Sequence, residues 1–105
     1  MTPRRAHGEA MTAFMRADAR ISQRQALVEL GSILRFPLEI DDDGAEYLRP
    51  TSDTTLDVHV DEVDPHYPLV LTIWHWKSQA DARSAVSELQ PLIARSTGWT
   101  VIAQD

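Results

Sequence analysis

The longest nearly continuous apolar run of the chain covers residues 69–76. Its β-branched and aromatic residues are typical of a strand that is buried on both faces. Trp74 and Trp76 lie two positions apart in this run, so their side chains project from the same face of the strand. The pattern predicts that this strand is the centre of the fold and that the other elements cover it.

The first third of the chain has the apolar spacing of a helix. Met11, Phe14 and Met15 recur at the i, i+3, i+4 spacing that places side chains on one helical face. Thr2 followed by Pro3 is a favourable helix start, because proline is well tolerated at the first helical position. We therefore expect an N-terminal helix that includes these residues.

A second helical segment follows directly. Ser22, with Gln25 three residues later, has the spacing of a capping box. Gly31 weakens the last turn and is a candidate end of the segment. The two segments form either one long bent helix or two helices. The apolar stripe of the second segment consists of Ala26, Leu27, Leu30, Ile33 and Leu34.

The apolar period then changes to two, which indicates strands. Residues 34–40 alternate between apolar and other side chains, and Pro37 makes this an edge strand because proline cannot donate to a ladder. Residues 41–44 have turn chemistry, with a glycine at the end. A short strand is expected at residues 46–49, and residues 54–62 alternate cleanly as a further strand.

The C-terminal part predicts a helix and a last strand. Ser78 is a suitable N-cap, and Gly98 is a suitable C-terminal cap. Pro91 lies inside the helical pattern, so we expect a kink or a break near Gln90. Residues 99–104 read as a final short strand.

The resulting order is α(α)ββββαβ. It predicts an α+β fold in which an antiparallel sheet of four to five strands carries the helices on one face. The helices are an N-terminal helix, possibly two, and one helix in the C-terminal half. A chain of 105 residues is one domain, residues 1–105, and we expect residues 1–6 to be loose.

Composition narrows the classes of function. The chain contains no cysteine, which excludes disulfides, thiolate catalysis and cysteine-based zinc sites. The net charge is −6, and residues 37–66 hold ten acidic residues against one arginine. This acidic middle argues against nucleic-acid binding as a general function, since phosphate contacts need clustered Lys and Arg. Neither a signal peptide nor a run long enough to cross a bilayer is present, so we expect a soluble cytoplasmic protein.

Few residues suggest chemistry. Asp57, His59 and Asp61 alternate on one strand face and could bind a metal, but side chains along one strand run parallel and do not converge. Residues 41–44 lack the spacing of a calcium loop. There is no Gly-x-Ser-x-Gly motif and no glycine-rich phosphate loop. We expect no cofactor and no metal, and no catalytic residue is identified.

The pairing of residues 54–62 with residues 69–76 has two possible registers, and a shift of one residue exchanges the two faces. In the first register, Thr72, Trp74 and Trp76 lie outside, beside Asp57, His59 and Asp61, on the face opposite the helices. In the second register the tryptophans are in the core and the aliphatic residues of the same strand point outward. The apolar groups left on that face are either covered by another segment, the N-terminal helix being the obvious one, or form an association surface. Tryptophan is enriched at interface hot spots, which favours the association surface.

The order of helix, antiparallel strands, helix and strand is similar in outline to small secretion-chaperone-like and immunity-type proteins. This likeness covers most of the chain but contains no specific motif, so it transfers no residues.

We expect a non-enzymatic protein-binding domain, either a homodimer or the partner of another protein, that acts through Trp74, Trp76, Thr72, Asp57, His59 and Asp61. One alternative is an enzyme or small-ligand protein with a pocket between sheet and helices and with His59 or His75 as its titratable group. Another is a DNA-binding regulator, because residues 21–31 resemble the second helix of a helix-turn-helix. That regulator would use Arg16, Arg20 and Arg24.

Overall fold

The apolar run that dominates the sequence forms the fifth strand of a mixed fold of strands and two helices. The computed structural model describes residues 11–104. In chain order the elements are β1 (Met11–Ala17), α1 (Gln23–Leu34), β2 (Leu38–Ile40), β3 (Glu46–Thr51), β4 (Thr54–Val60), β5 (Leu69–His75), α2 (Gln79–Thr97) and β6 (Val101–Gln104).

The strands form one sheet in the order β2-β3-β4-β5-β1-β6, and every neighbouring pair is antiparallel. The predicted α+β class is confirmed, although the sheet has six strands and not four to five. The extra strand is β1, which lies between β5 and β6. The edge strand expected around Pro37 is also confirmed, but it is shorter than predicted and covers only Leu38–Ile40.

The expected helix through Met11, Phe14 and Met15 is wrong, because these residues belong to β1. The same stretch also alternates: Met15 is buried while Phe14 is exposed and Arg16 is half-buried. All seven residues of β1 pair with β5, so tertiary pairing overrides a spacing that also fits a helix. The predicted helix start at Thr2 and the loose residues 1–6 lie outside the described residues.

Both helices begin at the predicted caps. The Ser22 hydroxyl accepts a hydrogen bond from the Gln25 amide, and the Ser78 hydroxyl accepts one from the Asp81 amide. A kink or a break is expected near Gln90; the break is wrong, since α2 continues through Pro91 to Thr97. Pro91 is exposed, so the backbone carbonyl that it leaves unpaired is on the solvent side of the helix.

One core lies between the helices and one face of the sheet. The buried stripes of α1 and α2 pack on this face, and the two helices contact each other. The strand residues of the core include Met15, Leu48, Leu56, Leu71 and Ile73, all fully buried. Because both helices lie on one side, the other face of the sheet is left without a covering helix among the described elements.

Three helical glutamines join the helices to strand backbone. Gln23 Nε2 donates to the carbonyl of Val58 at 2.8 Å. Gln79 and Gln90, both on α2, donate to the carbonyls of Thr12 at 2.7 Å and Val101 at 2.8 Å. A backbone carbonyl without a partner is costly when it is removed from water, so these side chains stabilise the strand carbonyls that they reach.

Candidate functional site

The register between β4 and β5 is the first of the two possibilities. Leu56 lies opposite Ile73 in the core, whereas Thr55 lies opposite Trp74 and Asp57 opposite Thr72 on the other side. We call this other side the helix-free face; the residues used below are Phe14, Thr55, Asp57, Thr72, Trp74 and Ile102. No helix among the described elements lies on it.

The structure brings four of the six predicted site residues together on this face. Thr72 and Trp74 of β5 lie beside Asp57 and His59 of β4. Thr72 is buried, Trp74 and Asp57 are half-buried, and His59 is exposed. Trp76 follows the end of β5, where its amide donates to the carbonyl of Asp53 at 3.2 Å.

An apolar diagonal crosses the helix-free face. On β1, Thr12 and Arg16 are two residues before and after Phe14. Trp74 of β5 is paired with Thr12, and Ile102 of β6 is paired with Arg16, so both are diagonal neighbours of Phe14. Diagonal neighbours of this kind are about 7–8 Å apart, within reach of aromatic side chains. Phe14 is 39% exposed and Ile102 is 36% exposed. Ile102, Phe14 and Trp74 therefore form a continuous apolar track from the sheet edge to its centre.

Two buried polar groups lie at the inner end of this track. The Trp74 Nε1 donor and the Thr55 Oγ1 hydroxyl are both shielded from solvent and have no hydrogen-bond partner within the described part of the chain. They belong to directly opposite residues of β5 and β4. A buried polar group without a partner costs about 1–3 kcal/mol, so the site lacks a hydrogen-bond acceptor at this point.

Arg16 fastens the β4–β5 loop to the helix-free face, a role that the sequence did not reveal. Its guanidinium donates to Asp61 Oδ2 at 2.9 Å, to Asp64 Oδ2 at 3.2 Å and to the carbonyl of Tyr67 at 2.9 Å. Its Nε donates to Gln104 at 3.2 Å. Asp61, predicted as a rim residue of the binding face, is therefore engaged in an ion pair within the chain.

The same contacts explain the electrostatics of the loop. The hydrogen bond from Arg16 lowers the pKa of the Asp61 carboxyl, and a backbone hydrogen bond from Val63 lowers it further. The pKa of Asp64 is lowered by hydrogen bonds from the backbone amides of Tyr67 and His66. Both carboxyls are thus held in the charged form that fixes the loop.

A second polar cluster lies on the helix-free face at the β2 side. Glu39 Oε1 accepts hydrogen bonds from Arg49 Nε and from the Tyr47 hydroxyl, each at 2.9 Å. These bonds, with Arg49 the larger influence, lower the pKa of Glu39. The guanidinium carbon of Arg49 lies 5.7 Å from the centre of the Tyr47 ring. All three side chains lie on one face of the sheet. The alternation of residues along β3 places Tyr47 and Arg49 on the same face, but the sequence does not show that Glu39 contacts them.

The two histidines of the enzyme alternative do not line the groove formed by the described residues. An open groove of about 530 Å³ lies between the start of α1 and the β4–β5 loop, and neither His59 nor His75 lines it. His75 is buried at the end of β5, where its Nδ1 accepts a hydrogen bond from the Lys77 amide at 3.2 Å. Within residues 11–104, no group of three or more His, Cys, Asp or Glu side chains could hold a metal ion.

The arginines of the DNA-binding alternative are dispersed. Arg16 lies in a strand, Arg20 donates to the carbonyl of Pro65, and Arg24 pairs with Glu46. The element before α1 is β1 and not a helix, so the described chain has no helix-turn-helix at this point.

Comparisons with models of protein families, with curated proteins and with solved structures find no match to this chain. No helix within residues 11–104 is both long enough and apolar enough to span a membrane.

Proposed function

We propose that this chain is a non-enzymatic protein-binding domain whose helix-free face binds a different protein in the cytoplasm. The supporting observation is the apolar diagonal of Ile102, Phe14 and Trp74 on a sheet face that no described helix covers. Aromatic residues with a polar handle, tryptophan above all, are enriched at the energetic centres of protein interfaces. The absence of cysteine fits a reducing compartment.

The two unsatisfied groups specify what the partner offers. Both atoms are shielded from solvent in the free chain, so an acceptor reaches Trp74 Nε1 and Thr55 Oγ1 only when side chains of the helix-free face move aside on binding; a partner with a backbone carbonyl or a side-chain oxygen at that point then supplies the acceptor that the free chain lacks. Such a contact recovers a cost already present in the unbound state, so it favours the complex. Specificity then comes from the match between apolar track and acceptor position.

At the helix-free face, the net charge of the chain favours a different protein over a second copy. Each copy carries a net charge of −6, so two copies meeting face to face repel one another. A neutral or basic partner meets no such repulsion, and a basic one gains in association rate.

The experiment compares capture by variants that change only the apolar track. The chain is immobilised and exposed to extract from its native host, using the wild type, Phe14→Ser and Ile102→Ser. Val63→Ser and Val28→Ser are the matched controls, because these valines are exposed on other surfaces. We expect one protein to be captured by the wild type and both controls and to be lost with both track variants. Thermal unfolding verifies that every variant is folded.

The captured protein is then purified and titrated against the chain. We expect a change in tryptophan emission that disappears in Trp74→Phe. Equal capture by track variants and controls overturns the proposal, as does capture of nothing by the wild type. If sedimentation shows that Phe14→Ser and Ile102→Ser abolish self-association, the face belongs to a homodimer and the different-protein assignment is wrong.

A further inference from the structure

Within residues 11–104, β2 is an edge strand with backbone groups that no other residue pairs. The amide of Arg49 donates to the carbonyl of Pro37 at 3.0 Å, and the amide of Asp41 donates to the carbonyl of Ala45 at 2.9 Å. Residues of an antiparallel strand alternate between the two sides, so Glu39 also faces β3. The N–H and C=O groups of Leu38 and Ile40 therefore point away from the sheet, and no hydrogen bond to them is found in residues 11–104.

The side chains at this edge are apolar and exposed. Leu38 is 40% exposed and Ile40 is 65% exposed. Leu38 lies opposite Leu48, a core residue, so both side chains are on the helix side of the sheet. Natural edge strands are commonly protected by charges on the strand or by a covering element. Here the strand is short and follows Pro37, but its apolar side chains remain open.

The opposite edge is protected in a different way. The carbonyls of Thr12 and Val101, which lie near that edge, accept hydrogen bonds from Gln79 and Gln90 of α2. At β2 no side chain of the described residues has this role. The two edges thus differ within the described residues: a glutamine of α2 covers a backbone carbonyl of β6, whereas no side chain covers the backbone of β2, where Leu38 and Ile40 are exposed.

We propose that β2 pairs antiparallel with β2 of a second copy of the chain, with Leu38 opposite Ile40 of the second copy. The two-fold axis then passes between the two Glu39 residues. In this register the outward-pointing residues of the two copies lie opposite each other. The N–H of Leu38 donates to the C=O of Ile40 in the other copy, and the N–H of Ile40 donates to the C=O of Leu38. The exposed aliphatic side chains meet on the helix side, and the two sheets become one continuous sheet.

The charges near the axis are compatible with this register. The two Glu39 residues lie opposite each other on the helix-free side, but each carboxylate is already paired with Arg49 of its own copy. The net charge of the two Glu39 and the two Arg49 side chains is therefore zero. Beyond the strand, the same register brings residues 41–43 of one copy towards Arg35 of the other. Arg35 is exposed and has no ion pair within the described residues, so it is available to the acidic turn.

This contact is separate from the helix-free face and is small. A strand of three residues contributes few hydrogen bonds, so we expect a dimer that dissociates on dilution and not an obligate one. The side chains at positions 38 and 40 then supply most of the association energy, because burial of apolar area is the larger favourable contribution.

Sedimentation velocity across a dilution series of the full chain tests the pairing. We compare the wild type with Ile40→Lys, which places a charge in the proposed contact at a side chain that is exposed in the monomer. Val63→Lys is the matched control, since Val63 is 90% exposed in the β4–β5 loop. We expect Ile40→Lys to weaken dimerisation by about tenfold or more, equivalent to about 1.4 kcal/mol, and Val63→Lys to leave it unchanged.

A second pair of variants tests the register. Arg35→Asp and Asp43→Arg each weaken the dimer, and the double variant restores it, because the reversed charges again face each other. A wild type that remains monomeric at the highest concentration overturns the proposal. Equal effects of Ile40→Lys and Val63→Lys also overturn it. Phe14→Ser leaves the dimer intact if β2 is the contact, so failure here is distinguishable from failure of the helix-free face.

Discussion

Replacement of Gly31 by alanine is expected to destabilise the protein, although Gly31 lies in a helix. Alanine in place of glycine favours a helix by about 0.5–1 kcal/mol. In this chain a Cβ atom at position 31 lies 3.2 Å from Leu48 Cδ2 and 3.3 Å from the carbonyl oxygen of Phe36. These distances are shorter than ordinary van der Waals contact, so the neighbours must move.

Neither neighbour moves easily. Leu48 is fully buried in the core, and the Phe36 oxygen belongs to the backbone directly after α1. The amide of Phe36 also donates to the carbonyl of Gly31 at 3.1 Å, which fixes the two residues relative to each other. Overpacking of a core costs about 1–3 kcal/mol, which exceeds the gain in helix propensity. We therefore expect Gly31→Ala to lower the free energy of unfolding by about 1 kcal/mol.

Urea unfolding followed by tryptophan fluorescence measures this change. Ser32→Ala is the control, because Ser32 is the exposed neighbour on the same helix and gains propensity without the contact. In a Leu48→Val background, Gly31→Ala should cost less than in the wild type, since the close methyl group is gone while the contact with the Phe36 oxygen remains. If Gly31→Ala alone stabilises the wild type as Ser32→Ala does, the close approach of helix and sheet is not the reason for this glycine.

Two further predictions follow from the helix-free face. Thr55→Val should raise the free energy of unfolding by about 1 kcal/mol, because a methyl group of similar shape replaces a buried hydroxyl that has no partner among the described residues. Thr72→Val is the control and should give no such gain. Equal changes of the two variants in urea unfolding would contradict this prediction. The lowered pKa of Asp61 gives stability that is complete above the ordinary aspartate value of about 3.9 and is lost as pH falls through the folded pKa. In Arg16→Met, the melting temperature should therefore fall less steeply as the pH is lowered into the acid range. The exposed control Arg83→Met should show the same pH dependence as the wild type.

Residues with a single strong local preference were placed correctly by sequence alone. Ser22 and Ser78 cap helices, and Gly98 ends α2 with a positive φ of 81°, because hydroxyl capping and left-handed backbone depend on nearby residues only. The turn at residues 41–44 is confirmed for the same reason, with Gly44 at a φ of 85°. The apolar run at 69–76 also identified the strand at the middle of the sheet, since nothing else in the chain has its length of β-branched and aromatic residues.

Gly31 and β1 show where local preference fails. Gly31 was a candidate helix end, but α1 continues to Leu34 and ends with Arg35 at a φ of 59°. The glycine instead allows the helix to approach Leu48, a contact between residues far apart in sequence. Met11–Ala17 fits both helical and strand spacing, and only its pairing with β5 and β6 decides between them.

What the sequence determined by itself is the α+β class, the caps and turns, the central strand and the acidic, cysteine-free character of the chain. The tertiary structure decided which face of that strand is outside. The period of a strand is two and both rows of β5 contain large apolar side chains, so pattern alone leaves the register open. Only the pairing of Leu56 with Ile73 places Trp74 opposite the helices. It also decided that Arg16 and Asp61 meet, 45 residues apart in the sequence, because such contacts depend on the folded path of the chain and not on local pattern.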